Sequence, residues 1–234
     1  MRKAIVTTSW DDGHKIDLKL AELLRKYDLR GTFYVAPENR EFKREDLLSD
    51  YQLRKLSQDF EIGAHTMTHP RLGRISAAQA DKEIRESKEY LEKLLDKPVA
   101  SFCYPGGDYS FLNERQVRQH GFKLARTVDR LALDAGSNPF ELPTTLHAYS
   151  HRSDIPKIAR IARFDPVKTW EYYKDWETLG MFLFDKIKEE GGVFHLWGHS
   201  WEIEECRYWG RLEKLFKHIS GYGDVDYLTN GELI

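Results

Sequence analysis

Short runs of apolar and β-branched residues alternate along the whole chain with longer stretches whose apolar positions recur every three to four residues. Residues 4–10 have the composition of a strand. Ile16, Leu20, Leu23, Leu24 and Tyr27 follow at helical spacing, and residues 31–36 form a second β-rich run. The order then repeats with a polar helical segment at 44–58, a short strand at 61–64 and a long helix at 76–96. The buried face of that helix is Ala77, Ala80, Ile84, Ser87, Leu91 and Leu94. Ser76 with Gln79 predicts a capping box at its start, and Pro98 stops it.

Strands at 99–104 and 122–126 flank a helix at 111–120 that Gly121 closes. Residues 129–166 are rich in Gly, Pro and Ser, which predicts long loops over a site, with one strand at 142–147. A helix ending near Glu190, a strand at 193–197, a helix at 209–219 and a last strand at 225–228 complete the pattern. Alternation of this kind predicts an α/β fold of about seven parallel strands, either a barrel or an open doubly wound sheet. Both gather catalytic groups at the carboxyl ends of strands.

At 234 residues, with no internal repeat or linker, the chain is expected to form one domain over residues 1–234. A formal net charge of −2 argues against nucleic acid or an anionic membrane as partner, since both demand a clustered basic surface. The opening from Met1 to Val6 is basic but has neither the apolar run nor the small-residue cleavage site of a signal peptide. No stretch approaches the roughly 20 apolar residues of a membrane span. Cys103 and Cys206 suggest reduced thiols, so a cytoplasmic location is expected.

Four clusters fall where strands are expected to end: Asp11-Asp12-Gly13-His14, His65 to Pro70, Tyr104 to Gly107, and His199 to Glu202. Adjacent carboxylates at a strand end can divide labour, one binding a cation while the other faces a reacting water. His65 and His69 are four apart, which on a helical turn would set both imidazoles on one face. Two histidines and one aspartate make a metal site with open positions, suited to catalysis.

These residues together resemble the polysaccharide deacetylase (NodB homology) family. Ser9-Trp10-Asp11-Asp12-Gly13 is similar to its first motif, His65-Thr66-Met67-Thr68-His69-Pro70 to its second, and Phe102 to Gly107 to its third. Trp197-Gly198-His199 with Ser200-Trp201-Glu202 resembles the last motif, and Leu228 to Leu233 the closing segment. The resemblance implies a distorted (β/α) barrel that hydrolyses a non-peptide carbon–nitrogen bond, most simply by N-deacetylation of an amino sugar or oligosaccharide. It makes Asp12, His65 and His69 the ligands of one divalent ion, Asp11 the base and His199 the acid. Gly106, through its backbone N–H, holds the oxyanion; Tyr104, Trp201 and Arg126 join it in binding the substrate. The ion is zinc by ligand type, and nickel, cobalt or iron would suit the same set.

One departure stands out. The family's third motif often begins with an Arg that pairs with the catalytic Asp, and Cys103 occupies that position. Arg126, at the end of the next strand, is a candidate replacement, set against the plainer expectation of an exposed strand-end Arg. His195 either lines the barrel beside Trp197 and His199 or, the preferred expectation, is a hydrogen-bonded core histidine, and Cys103 is expected to be a small buried hydrophobe. His14 and His147 are either substrate contacts or polar loop residues, and Trp10, Trp197 and Trp201 either stack on a sugar or pack in the core. Two rival functions remain: a hydrolase of a cyclic amide or ureide on the same fold, and a non-catalytic carbohydrate-binding protein.

Overall fold

β1 (Ala4–Asp12) is buried along almost its whole length, as expected of a strand covered on both faces. The computed structural model describes residues 3–234, so the basic start at Met1 and Arg2 lies outside the described residues. After β1 come α1 (Asp17–Lys26), β2 (Thr32–Val35), α2 (Asp50–Leu56), β3 (Glu61–Ala64), α3 (Ala77–Leu95), β4 (Ser101–Cys103), α4 (Phe111–Gln119) and β5 (Leu124–Arg126). The second half holds β6 (Leu146–His147), α5 (Ile155–Ile161), α6 (Pro166–Lys174), α7 (Trp176–Glu190), β7 (Gly192–Gly198), α8 (Ser200–Glu205), α9 (Trp209–Ile219) and β8 (Val225–Tyr227).

The strands form one parallel sheet in the order β5-β4-β3-β2-β1-β7-β6. β8 lies beside the first residues of β1, and β2 beside its last four. The expected seven strands are the main path, and β8 adds to it. A single segment links the two ends of that path. Leu142 exchanges hydrogen bonds of 2.9 Å with the backbone of Ala125 and Thr127, while Thr145 and Ala148 donate to the carbonyls of His195 and Trp197. The sheet therefore curls into a distorted barrel with helices on its outer face.

The capping box at Ser76 and Gln79 forms as expected. Three local expectations need correction. The polar stretch 44–58 yields a single 3₁₀ turn at Arg44–Asp46 and then α2, because Ser49 caps a helix that starts late. The segment 129–166 is not all loop, since Pro156 sits in the first turn of α5, where a missing N–H costs nothing. α8, under two turns long, was too short to leave a periodic signal.

The closing segment seals the amino-terminal end of the barrel. Buried Asn230 accepts from Thr7, donates to the Tyr34 hydroxyl, and takes the Thr32 hydroxyl as acceptor for its backbone N–H. Among the described residues no helix is long and apolar enough to cross a membrane.

Candidate active site

The chain turns sharply where β1 delivers its two carboxylates. Asp12 has φ +84° and Gly13 φ +71°, and a Cβ on Gly13 would stand 2.9 Å from Val35 Cγ1, so only glycine is accommodated there. His65 follows β3 directly. The chain from His65 to His69 is not a helical turn, contrary to the expectation from spacing: Thr66 and His69 both adopt left-handed backbone, at φ +63° and +65°. Glu83 of α3 holds this loop by accepting from the N–H groups of Met67 and Thr68, at 2.9 and 2.8 Å, and from the Thr68 hydroxyl at 2.7 Å. Strained backbone concentrates here and is held by the surrounding contacts.

Asp12, His65 and His69 converge. His69 Nε2 is 3.2 Å from both Asp12 Oδ1 and His65 Nε2, and His65 Nε2 is 3.8 Å from the same oxygen. Tetrahedral ligands about 2.0–2.2 Å from a zinc ion stand roughly 3.3–3.6 Å apart, so the set fits a first-row dication. His65 Nδ1 lies 2.8 Å from the Cys103 carbonyl, and a Glu41 carboxylate oxygen is 3.1 Å from His69 Nδ1. With a proton on each Nδ1, both Nε2 lone pairs face Asp12. Asp12 Oδ1 is buried without a hydrogen-bond donor among the described residues, while Oδ2 accepts from Trp201 Nε1 at 2.8 Å. Burial, with help from His69, pushes the His65 pKa down to about 4, which keeps the ring neutral as a ligand must be.

Arg126 is wholly buried and forms an ion pair with both oxygens of Asp11, so the expectation of an exposed Arg is overturned. Cys103 and Arg126 are paired neighbours on β4 and β5, which places the cation one strand over from the usual motif position. The Cys103 thiol is buried beside Asp11 Oδ2 at 3.8 Å, its pKa raised by that burial. Burial alone would raise the Asp11 pKa. Arg126, His65 and His199 together outweigh it, Arg126 foremost, and hold the group at about 2.

His199 sits between β7 and α8 with Nδ1 3.3 Å from Glu202 Oε2. Burial acts to lower its pKa, but the Glu202 hydrogen bond and the charges of Asp12 and Asp11 prevail and raise it to about 9. Glu202 also stands 3.2 Å from His147 Nε2, a grouping the sequence did not reveal because β6 and α8 are over fifty residues apart.

The remaining assignments divide. Trp201 reaches the site, but its indole N–H serves Asp12. Gly106 lies at a turn with φ +59°, against the Arg71 guanidinium. Tyr104 requires correction: its hydroxyl donates to the Phe140 carbonyl at 3.1 Å, its N–H to the Arg126 carbonyl, and its ring stacks on Tyr109. Both donors are thus used inside the fold. His195 is a core histidine, bonded to Ser9 and near the Pro143 carbonyl. His14 is buried against Phe42, and Trp10 packs on Phe216 in the core. Trp197 stacks with the His147 ring and has the Arg126 guanidinium over its own ring.

A curled parallel sheet carrying this constellation on its carboxyl rim defines a class. The family model for polysaccharide deacetylases matches residues 1–125, and the chain belongs to that family. Peptidoglycan-N-acetylmuramic acid deacetylase PdaC of Bacillus subtilis (strain 168) is 28% identical over 92 residues, which is 38% of this chain and 19% of PdaC. YxkH of the same organism is 22% identical over 126 residues, covering 53% of this chain and 44% of YxkH. The matches thus span less than half the length of either curated relative. Among solved structures, the Streptococcus pyogenes deacetylase PplD in complex with acetate is 26% identical, covers 58% of this chain and 62% of its own, and has a TM-score of 0.54. The chitin deacetylase of the fungal pathogen Colletotrichum lindemuthianum covers 100% of this chain and 88% of its own at TM-score 0.63; at 18% identity that likeness concerns the fold alone.

Proposed function

We propose that the protein is a metal-dependent hydrolase that removes the acetyl group from the nitrogen of an acetylated amino sugar or oligosaccharide. Asp12, His65 and His69 would hold one divalent ion, zinc by ligand type. Such an ion supplies Lewis acidity toward the acetyl carbonyl and toward water. Asp11 accepts the proton of the attacking water, and Arg126 keeps it ionised until then. His199 gives a proton to the departing amine, because an amine leaves poorly as an anion. The Gly106 N–H donates to the developing oxyanion.

The observation that carries this reading is the pairing of opposite extremes on one rim: a carboxylate held at about 2 and an imidazole raised to about 9, beside a ligand set with an unpaired carboxylate oxygen. Acetylated amino sugars of the types that PdaC and the chitin deacetylase are named for are the first substrates to try. The test is to strip and reload the protein with zinc, then measure acetate and free amine from these sugars and ring opening of cyclic amides and ureides. Metal-dependent acetate release, abolished in Asp11→Asn with metal content retained, is expected. Ring opening without acetate release would replace this reading with the small-metabolite rival.

A further inference from the structure

Three ligand atoms outside the Asp12 set also converge. His147 at the end of β6, His199 after β7 and Glu202 on α8 bring theirs within 4.8 Å of one another, with Glu202 Oε2 3.2 Å from His147 Nε2 and 3.3 Å from His199 Nδ1. The His147 ring is buried and fixed: it stacks on Trp197 at 3.9 Å and 11°, and its Nδ1 stands 2.6 Å from His151 Nε2. With the proton of that contact on His147, Nε2 keeps its lone pair. This nitrogen is buried and 3.2 Å from Glu202, yet among the described residues it meets no group in good hydrogen-bond geometry. A buried, oriented nitrogen aimed at a carboxylate, with a second imidazole on the same oxygen, is a ligand arrangement. Its far nitrogen is braced by an outer histidine, as those of metal-bound histidines are.

We propose that His147, His199 and Glu202 form a second site for a transition-metal dication, and that filling it inhibits the enzyme. Two histidines and a glutamate are a donor set that binds zinc with open positions. The His199–Glu202 hydrogen bond uses the Nδ1 proton, and an ion arriving there displaces that proton to solvent. The ring is then a neutral metal-bound imidazole, whose remaining N–H is far too weak an acid to protonate the amine. The inhibition rests on His199 acting as the acid; the site itself does not. Activity should therefore rise with the first equivalent of metal and fall with the second.

The zinc-loaded protein is titrated with further zinc by calorimetry, with bound metal counted by native mass spectrometry and cobalt absorption spectra recorded in parallel. Wild type should bind two equivalents, the second more weakly. His147→Phe keeps the stack on Trp197, removes the ligand, and should bind one equivalent and resist excess zinc. Glu202→Gln should also bind one, which covers the case of a poorly folded His147 variant. His69→Ala should retain only the second equivalent, so this site is counted even if the Asp12 set or the proposed reaction fails. A wild type that saturates at one equivalent, or a His147→Phe protein that still binds two, overturns the site. Two bound equivalents with no slowing of acetate release overturn the inhibition.

Discussion

Arg126→Met removes the only cation ion-paired with Asp11 among the described residues while keeping a similar apolar volume in the wall of the barrel. Asp11 at about 2, against an ordinary 3.8, corresponds to roughly 2–3 kcal/mol of net stabilisation at neutral pH. Because the folded value is the lower one, that stabilisation is present above 3.8 and is lost as the pH falls through about 2. Deleting Arg126 does more than cancel it, since burial then acts on a carboxylate opposed only by His65 and His199; breaking a buried pair costs about 3–5 kcal/mol. Urea unfolding at pH 7 should show a loss in that range, shrinking at lower pH as Asp11 takes up a proton. The acid limb of kcat/KM lies no lower than about 4, where His65 takes up a proton and releases the metal, and should move upward from there in the same variant as Asp11 comes to titrate above it. Since Cys103 and Arg126 are register partners, Cys103→Arg combined with Arg126→Cys should recover part of both losses. Stability within about 1 kcal/mol of wild type, together with an unmoved acid limb, would refute the role given to this pair.

Further outcomes are expected. Trp201→Phe removes the hydrogen bond that fixes Asp12 Oδ2 and should weaken metal binding about 10–100-fold in chelator competition, with the fold intact; unchanged affinity would free the indole for a purely substrate-facing role. His199→Ala should lower kcat by roughly 10²–10⁴-fold while the first metal equivalent, the one assigned to Asp12, His65 and His69, is retained, and in wild type the alkaline limb should fall as the pH rises towards about 9, since only the protonated ring can donate. Glu202→Gln should shift that limb downward. Greater damage to kcat from His195→Ala, in folded and metal-loaded protein, would reassign the acid.

The parallel α/β order and the clustering of ionisable groups at strand ends were legible because strand and helix periodicities differ and the strands are short and apolar. The proposed metal set could be named from residue type and order, but not its backbone: four-residue spacing suggests a helix, and only Glu83, fourteen residues beyond His69, explains why a strained loop holds instead. The ion pair at Arg126 was open in sequence, where nothing separates a buried strand-end Arg from an exposed one; register with Cys103 decides it. Tyr104 misled because its neighbours Pro105 and Gly106 are loop residues, whereas its own ring belongs to the core. The His147 cluster was invisible because its members come from separate elements joined only by the curl of the sheet.

β1 bears both carboxylates, yet one of its flanks is completed only by β7, whose first residue lies about 180 positions further along. At synthesis rates of about 5–20 residues per second, that interval lasts on the order of 10–40 s. Throughout it, the nascent chain presents an apolar strand whose backbone donors and acceptors on that flank await their native partner. A product cut short before Gly192 never acquires that partner, and its open edge is a template for pairing with other chains. Yield of folded protein is thus tied to synthesis of β7, well after the proposed metal ligands have been made.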